Sequence, residues 1–340
     1  MKRRTFLKTS LKASLAFAPA TAVCSSALGQ EAPKPKKLLA NYGEAPEQCL
    51  TFYPDVEGGK LQLYQLWVRK NNSVLTSYRA HQTEKYPYFH PLAGPVSGLS
   101  LTAESARPWP HHRALFFGCD RVNGGNYWQG ALGQGQIISQ GPSFAKDTLT
   151  ETSGVITDNC LWRQGDKDPI ISDSRRFTIR VVDDKRYVLD AEINLTALTD
   201  ITIQNTNHGL FGIRCAPELA PSGGGNLLSS EGGRNEKETL GKPAKWLAFY
   251  GKRPLSGVEI TEGIAVFCPS KEPHPRFKDC PWFVRDYGNI SPTPMNWLGK
   301  NDFKLPKGEE LKFRYRVVAF AGTPQDAGLD GLWDEFDNAR

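Results

Sequence analysis

The chain has 340 residues, 39% of them hydrophobic, and its eight Trp and seventeen Phe can fill a substantial core. The formal charge of +6 falls to +1 when residues 1–29 are set aside, because that segment holds five basic residues and no acidic residue. A nearly neutral remainder argues against binding to nucleic acid or anionic lipid, which requires clustered Lys and Arg.

The first 29 residues have the pattern of an export signal. Arg3 and Arg4 stand directly before an apolar run, and Ala27-Leu28-Gly29 supplies the small residues of a cleavage site. We therefore predict a twin-arginine signal peptide over residues 1–29 and a periplasmic or secreted mature protein. No later apolar run approaches the roughly 20 residues needed to cross a bilayer.

Residues 30–45 are predicted to be a linker because they combine prolines with charged side chains. Residues 46–340 are predicted to form a single β-sandwich domain. Six cysteines follow the leader without any CxxC pair, so a cysteine-built zinc site is not expected. Cys268 and Cys280 flank a proline-rich loop and are candidates for a disulfide, with isolated buried thiols as the alternative.

Alternation of apolar and polar residues with a period of two dominates the chain and predicts β-strands. In the segment Tyr187–Leu195, for example, every second residue is apolar, as in a strand with one buried face. The four residues 183–186 indicate a hairpin turn between two strands. The predicted strands are Leu61–Arg69, Phe177–Val182, Tyr187–Leu195, Lys245–Tyr250, Gly263–Phe267 and Leu311–Phe320.

Helical spacing of apolar residues occurs only near the C-terminus, at Leu329, Leu332, Trp333 and Phe336. We expect this helix to seal one edge or end of the sheets. The predicted fold class is all-β: a large antiparallel β-sandwich with a short C-terminal helix. The sequence shows no alternation of strands and helices, so a dinucleotide-binding sheet is not predicted.

Aromatic, His, Arg and Asn residues concentrate in three loop-like stretches. These are residues 86–95, residues 108–128 and residues 269–288, which contain the segments Tyr-Phe-His-Pro, His-His-Arg, Asn-Gly-Gly-Asn-Tyr-Trp and Arg-Asp-Tyr-Gly. At these four ordered motifs, from about Tyr86 to Phe320, the chain resembles the bacterial family labelled PmoA-like.

The resemblance implies a secreted β-sandwich protein, similar in outline to the supersandwiches of aldose epimerases, from bacteria that degrade complex glycans. It does not imply methane oxidation, because that label refers to membrane-embedded subunits and this chain has no predicted spanning helix. The chain departs from the family pattern at two places. Pro108 and Trp109 replace an Asp-His pair, and Phe283 replaces a His.

The histidines are the main candidates for chemistry, since four of the six lie in or beside the motifs. His111 and His112 would point to opposite faces of an extended segment, so only one can line a pocket without a bend. We favour His112. The hypothesis is that His90, His112 and His208 converge on one pocket, where His112 and His208 exchange protons with a sugar. The alternative is that each is a hydrogen-bonded structural histidine.

Other candidates would bind the substrate or assist catalysis. Arg113, Arg214 and Arg285 are predicted to position it, and the last two suit the carboxylate of an acidic sugar, with structural ion pairing as the alternative. Trp128 is predicted to stack on a sugar ring and Asn123 to bind its hydroxyls, although such Trp residues also cap sandwich ends.

Glu231, in the glycine-rich segment 229–234, is a candidate catalytic base because loops on a rigid scaffold commonly carry function. The alternative is a mobile loop without catalytic function. Gly223-Gly224-Gly225 nearby lacks the Lys and Ser/Thr of a phosphate-binding loop.

No metal site or other cofactor is predicted, since the chain has no HExxH segment. A divalent metal held by His90, His111 or His112, His208 and His274 is the alternative. Three functional classes remain open. They are an epimerase, lyase or hydrolase acting on a saccharide, a carbohydrate-binding protein without turnover, and a metal-dependent oxidoreductase. The sequence does not indicate the oligomeric state.

Overall fold

The computed structural model describes residues 50–57, 63–70, 73–271, 274–277 and 281–339. The predicted leader and linker lie outside these residues. The strands are β1 Leu50–Glu57, β2 Leu63–Lys70, β3 Ser73–His81, β4 Tyr88–Leu92, β5 Leu115–Cys119, β6 Gln136–Ser139, β7 Ser143–Phe144, β8 Ser153–Arg163, β9 Ile171–Asp183, β10 Arg186–Ala197, β11 Ile201–Ile203, β12 Gly209–Arg214, β13 Asn226–Ser229, β14 Trp246–Leu255, β15 Val258–Phe267, β16 Trp282–Arg285, β17 Asn289–Pro292, β18 Phe303–Leu305 and β19 Glu310–Ala321. The α-helices are α1 Glu236–Thr239 and α2 Leu329–Asn338.

Two large antiparallel sheets make up most of the fold. The first has the strand order β1-β2-β3-β4-β5-β12-β17-β16. The second has the order β13-β14-β15-β19-β10-β9-β8-β6, and β7 pairs with β8 beside this path. A third, two-stranded sheet joins β11 to β18. The predicted all-β, antiparallel sandwich is confirmed.

The core lies between the two large sheets and is rich in aromatic rings. Phe89 of the first sheet meets Phe177 of the second edge to face, with ring centroids 4.8 Å apart. Phe211 stacks on Tyr315 at 4.3 Å in the same interior. Such pairs add about 0.5–1.5 kcal/mol each beyond the burial of their apolar surface, so this interior fixes how the sheets face each other.

The predicted strands and hairpin are present, with ends that differ by a few residues. β9 and β10 form the hairpin, and Asp183 accepts hydrogen bonds from the backbone of Lys185 and from the Arg186 guanidinium. The hairpin follows from a polar turn between two alternating segments.

The C-terminal helix is also confirmed, but it covers a sheet face instead of an edge or end. Leu329, Leu332, Trp333 and Phe336 of α2 form a second apolar cluster with β-strand residues such as Phe267 and Phe320. The centre of the second sheet is thus buried on both faces, which explains the nearly continuous apolar run at the end of β19.

Cys119, Cys160 and Cys215 are free, buried thiols, and burial raises the pKa of each. The predicted bridge between Cys268 and Cys280 remains a prediction, because Cys280 lies outside the described residues. Among the described residues, no helix is long and apolar enough to cross a membrane.

Candidate functional site

A cavity of about 530 Å³ lies over the part of the first sheet formed by β5, β12, β17 and β16. Phe117 on β5 points into the sandwich, where it meets Phe313. Its neighbour Phe116 faces the other way and packs against Trp128, a residue of the cavity wall. The cavity therefore lies on the face of the first sheet that is turned away from the second. Its lining residues are Trp109, His111, His112, Trp128, Gln129, Asn207, His208, Glu236, Phe283, Arg285, Tyr287 and Asn289.

An aspartate and a histidine meet at one end of the cavity because β5 and β12 are paired. The register sets Cys119 opposite Gly209, so Asp120 after β5 lies next to His208 before β12. The Asp120 carboxylate lies 3.1 Å from Nδ1 of His208 and also accepts a hydrogen bond from the Thr206 hydroxyl. With Nδ1 held by the carboxylate, Nε2 is the ring nitrogen left for a ligand.

A turn brings both adjacent histidines into the cavity. The His112 backbone N–H donates to the Trp109 carbonyl at 3.1 Å, which bends the chain so that neighbouring side chains share one side. The rings of His111 and His112 are nearly perpendicular, with centroids 4.5 Å apart. The expectation that only one of them lines the pocket is wrong, because it assumed an extended backbone.

A buried tyrosine of the core fixes the position of this turn. The Tyr86 hydroxyl donates to the His111 carbonyl at 2.5 Å, and the Tyr86 ring stacks on Phe116 with centroids 4.9 Å apart. Tyr86 is 1% exposed. The position of the two imidazoles is thus tied to packing within the sheet.

The environment keeps both of these imidazoles neutral near pH 7. Burial lowers the pKa of His111 to about 4, with a further contribution from the nearby His208. Burial lowers the pKa of His112 to about 3, aided by His111 and by the positive charge of Arg214. Neutral imidazole can accept a proton from, or donate one to, a bound hydroxyl group.

An ion pair forms another wall. Glu236 on α1 binds Arg285 at the end of β16, and its second oxygen accepts from the Asp286 backbone N–H at 3.1 Å. Asp286 in turn accepts from the Glu236 backbone N–H at 2.8 Å. These reciprocal bonds fix α1 against the turn between β16 and β17.

Aromatic rings line the entrance and the floor. Trp109 is 45% exposed, and its ring centroid lies 6.5 Å from that of Tyr287. Trp128 is 1% exposed and lies beside His208 at 5.8 Å. Gly212 makes this floor possible, because a Cβ there would lie 3.1 Å from Phe116 and 3.3 Å from Trp128. Aromatic side chains with a few polar neighbours are typical of small-molecule sites.

Several buried polar atoms of the cavity wall have no hydrogen-bond partner within the protein. They are Nε2 of His111, Nδ1 of His112, Nε1 of Trp128 and Oδ1 of Asn289. Each such atom costs about 1–3 kcal/mol when it is left unpaired. All four are themselves buried, so they are unpaired atoms of the wall and do not face the open space of the cavity.

The described residues contain no group of three or more His, Cys, Asp or Glu side chains arranged to hold a metal ion. The possible metal ligands considered from the sequence are separated. His90 and His274 do not line the cavity that contains His111, His112 and His208.

Some predicted site residues lie together and others do not. His112, His208, Trp128 and Arg285 line the cavity. Arg214 lies just behind it, with its guanidinium carbon 4.4 Å from the centroid of the Tyr287 ring.

His90 and Arg113 belong to a separate cluster around Glu104. His90 contacts Thr102 through Nδ1 at 3.2 Å and Glu104 through Nε2 at 3.7 Å. Arg113 binds Glu84 at 2.9 Å. The Glu104 carboxylate also accepts from Arg79 at 3.0 Å. Neither His90 nor Arg113 lines the cavity.

Asn123 and Glu231 are also placed elsewhere. Asn123 donates to the Asp200 carbonyl at 2.9 Å and accepts from the Thr202 backbone at 2.7 Å, so its amide joins two loops. Glu231 lines a second cavity of about 430 Å³ together with Glu238 and Lys242.

Sequence reasoning missed Asp120, Glu236 and Tyr287. Asn235 caps α1 by accepting from the Glu238 backbone N–H, so the pair Asn235 and Glu238 signals the start of a helix at Glu236. That signal predicts the helix but not the contact with Arg285, which lies 49 residues further along the chain.

The chain belongs to a family of unknown function, DUF6807, whose model matches residues 65–334. The comparisons do not support the PmoA-like label suggested by the motifs. No curated protein matches the chain.

Three solved structures show a distant similarity. A proposed aldose 1-epimerase from Klebsiella pneumoniae subsp. pneumoniae MGH 78578 is 10% identical, with 86% of this chain and 89% of that chain covered and a TM-score of 0.38. Galactose 1-epimerase from Lactobacillus acidophilus NCFM is 11% identical, with 81% of this chain and 100% of that chain covered and a TM-score of 0.34. A proposed kojibiose phosphorylase from the human microbiome is 10% identical, with 87% of this chain and 37% of that chain covered and a TM-score of 0.34. These similarities are too low to assign an activity.

Proposed function

We propose that the protein is an enzyme that acts on a saccharide by proton transfer between histidine side chains and sugar oxygens. The single observation that carries this proposal is the pairing of Asp120 with His208 beside two neutral imidazoles, all around one cavity. The cavity volume of about 530 Å³ is within the usual range for small-molecule sites.

The paired carboxylate gives His208 a role that differs from that of the other two histidines. When Nε2 of His208 takes a proton, the Asp120 carboxylate stabilises the positive charge on the ring. Asp120 is therefore a positioning residue, and His208 is the proposed proton carrier.

His111 and His112 have no such carboxylate partner among the described residues, and they stay neutral in the normal pH range. The ring centroids of His111 and His208 are 6.0 Å apart in an edge-to-face contact, so both imidazoles lie at the same part of the cavity wall, where one substrate could contact both. One side can then release a proton while the other accepts one. Epimerisation, elimination and hydrolysis of a sugar all require such a pair of transfers.

A carbohydrate-binding protein without turnover is the second candidate. The exposed ring of Trp109 beside Tyr287 favours sugar binding equally in both cases. The two candidates differ at His208, because a binding protein has no need for an imidazole held in one tautomer by a buried carboxylate.

The test is a thermal-shift screen of the mature protein against neutral sugars, uronic acids and short plant or algal oligosaccharides, followed by turnover assays with each ligand found. A ligand at 100 times its Kd adds about 2.7 kcal/mol to stability. His208→Gln is expected to bind the ligand but lose turnover. His81→Gln is the matched control, since His81 does not line the cavity.

Binding by both variants with no turnover in any assay would favour the binding protein. Absence of any saccharide ligand would overturn the proposal.

Export also belongs to the proposal and depends on residues 1–29, which lie outside the described residues. Replacement of both Arg3 and Arg4 by Lys is expected to keep the full chain in the cytoplasm, as measured by cell fractionation, whereas the unchanged chain is expected outside it. Equal export of both forms would contradict a twin-arginine route.

A further inference from the structure

The most unusual charged group near the cavity is Arg214, at the end of β12. The residue is 2% exposed, yet no Asp or Glu of the described residues forms an ion pair with it. Its Nη2 donates to the Arg107 carbonyl at 3.3 Å, and Nε and Nη1 have no partner. A buried charge without a partner is strongly unfavourable, so the site is incomplete without a negative group.

The other charged groups of the cavity have hydrogen-bonding partners of their own. Arg285 is bound to Glu236, and Asp120 is bound to His208. Within the part of the chain that the structure describes, Arg214 is the positively charged side chain at this site that has no counter-charge.

Arg214 does not line the cavity, but it lies directly behind a residue that does. Its guanidinium stacks on the ring of Tyr287, which lines the cavity, at 4.4 Å. Its positive charge also contributes to the lowered pKa of His112, another lining residue. Arg214 is itself buried, so solvent screens its charge less than it screens a charge at the surface.

We propose that the substrate is an acidic saccharide whose carboxylate lies on the Arg214 and Tyr287 side of the cavity. This inference rests on the proposed function and adds the substrate class. The carboxylate supplies the counter-charge that the protein lacks, and the aromatic rings and imidazoles contact the remainder of the sugar. A sulfate ester has the same charge but a different shape, so it is the comparison ligand.

The first experiment compares D-glucuronate, glucose and glucose 6-sulfate as ligands of the wild-type mature protein by calorimetry at pH 7. We expect glucuronate to bind at least tenfold more tightly than glucose, which corresponds to about 1.4 kcal/mol. D-Galacturonate and galactose, measured in the same way, test whether the preference holds for a second pair of sugars.

The second experiment measures the same ligands with Arg214→Gln. Affinity for the uronate is expected to fall about tenfold while affinity for the neutral sugar stays within twofold. Arg176→Gln is the matched control, because Arg176 is an exposed residue on β9 and its replacement alters net charge equally. Arg214→Lys keeps the charge and is expected to retain part of the preference, which covers the case in which the Gln variant does not fold.

The outcomes separate this inference from the proposed function. Equal binding of uronate and neutral sugar by the wild-type protein, with turnover of either, would overturn the acidic substrate and leave the enzyme in place. Tighter binding of the sulfate ester than of the uronate would overturn the carboxylate. Failure of every saccharide, neutral and acidic, would overturn the proposed function itself, and this inference with it.

Discussion

Two clusters of histidine and charged side chains lie on the first sheet, and they differ in how completely their polar atoms are paired. Around Glu104, Nδ1 of His90 contacts the Thr102 hydroxyl at 3.2 Å and the carboxylate is bound by Arg79 and Tyr88, and Nε of Arg79 is a buried atom without a partner. In the cavity, His111 and His112 each keep a buried ring nitrogen without any partner.

The difference shows how residues of the same type are used in two ways. A cluster whose donors and acceptors mostly satisfy each other stabilises the fold and has little left to offer a ligand. A cluster with unpaired buried atoms in a cavity wall makes the fold less stable there and keeps hydrogen-bonding capacity unused. The predictions below test this distinction between the Glu104 cluster and the cavity.

The largest expected effect is on turnover at His208. His208→Gln is expected to lower kcat for the saccharide found in the screen by about 10²–10⁴-fold, because a general acid or base contributes that much. Asp120→Asn should lower kcat less and shift its pH profile, since it acts only through His208. Steady-state kinetics over pH 5–9 measures both. Unchanged kcat in His208→Gln would remove this residue from the chemistry.

The next largest effect is on stability at Glu104. Glu104→Gln is expected to lower the free energy of unfolding by about 1–3 kcal/mol, because it leaves Arg79, Tyr88 and His90 with a poorer partner. Turnover is expected to remain at the wild-type level. Urea denaturation gives the stability, and a loss of turnover in folded variant would show that the two clusters are not separate in function.

A smaller effect is expected from pH. The pKa of His112 is about 3 in the folded protein, below the value of about 6.5 for an unperturbed His. The unfolded chain therefore binds more protons than the folded one between these values, so stability falls as pH drops through that window, by about 1.4 kcal/mol per pH unit for such a group.

Denaturation midpoints of the wild-type protein and His112→Gln at pH 7 and pH 5 measure this dependence. The variant should lose less stability between the two pH values than the wild-type protein. It keeps part of the slope, because the pKa values of His90 and His111 are also lowered. Identical slopes would contradict a neutral, buried His112.

The smallest expected effect is at the cavity entrance. Trp109→Ala is expected to weaken saccharide binding about three- to tenfold, since an aromatic contact contributes about 0.5–1.5 kcal/mol. Its exposure of 45% means that stability should change little. Trp297→Ala, at 40% exposure and outside the cavity, is the control, and calorimetry should show unchanged affinity for it.

Local patterns predicted much of the fold. The alternation in Tyr187–Leu195 gave the strand and its buried face, and the polar segment 183–186 gave the hairpin. The apolar stripe of α2 fits a sheet face as well as an edge, so the stripe alone did not predict its place. The nearly continuous apolar runs at the ends of β15 and β19 are the signal that a second face of this sheet is covered.

The site was predicted in part for a similar reason. His112, His208, Trp128 and Arg285 were found by residue type and by loop position. Glu236 and Asp120 were missed because their importance depends on partners distant in sequence, Arg285 and His208. Glu231 was selected in place of Glu236, only five residues away, because a glycine-rich loop is a visible signal and a long-range ion pair is not.

The strand order of the second sheet also determines when that sheet can be completed during synthesis. β19 is inserted between β15 and β10, so the two halves of the sheet are joined by residues 310–321, far along the chain. The halves β13 to β15 and β8 to β10 consist of neighbouring hairpins that can assemble early as the chain emerges from the ribosome. We expect the joining of these halves to be the slow step of folding, because it depends on contacts that are distant in sequence. Until then the unpaired edges of β15 and β10 are open to other chains, which makes them the segments that a chaperone would need to cover.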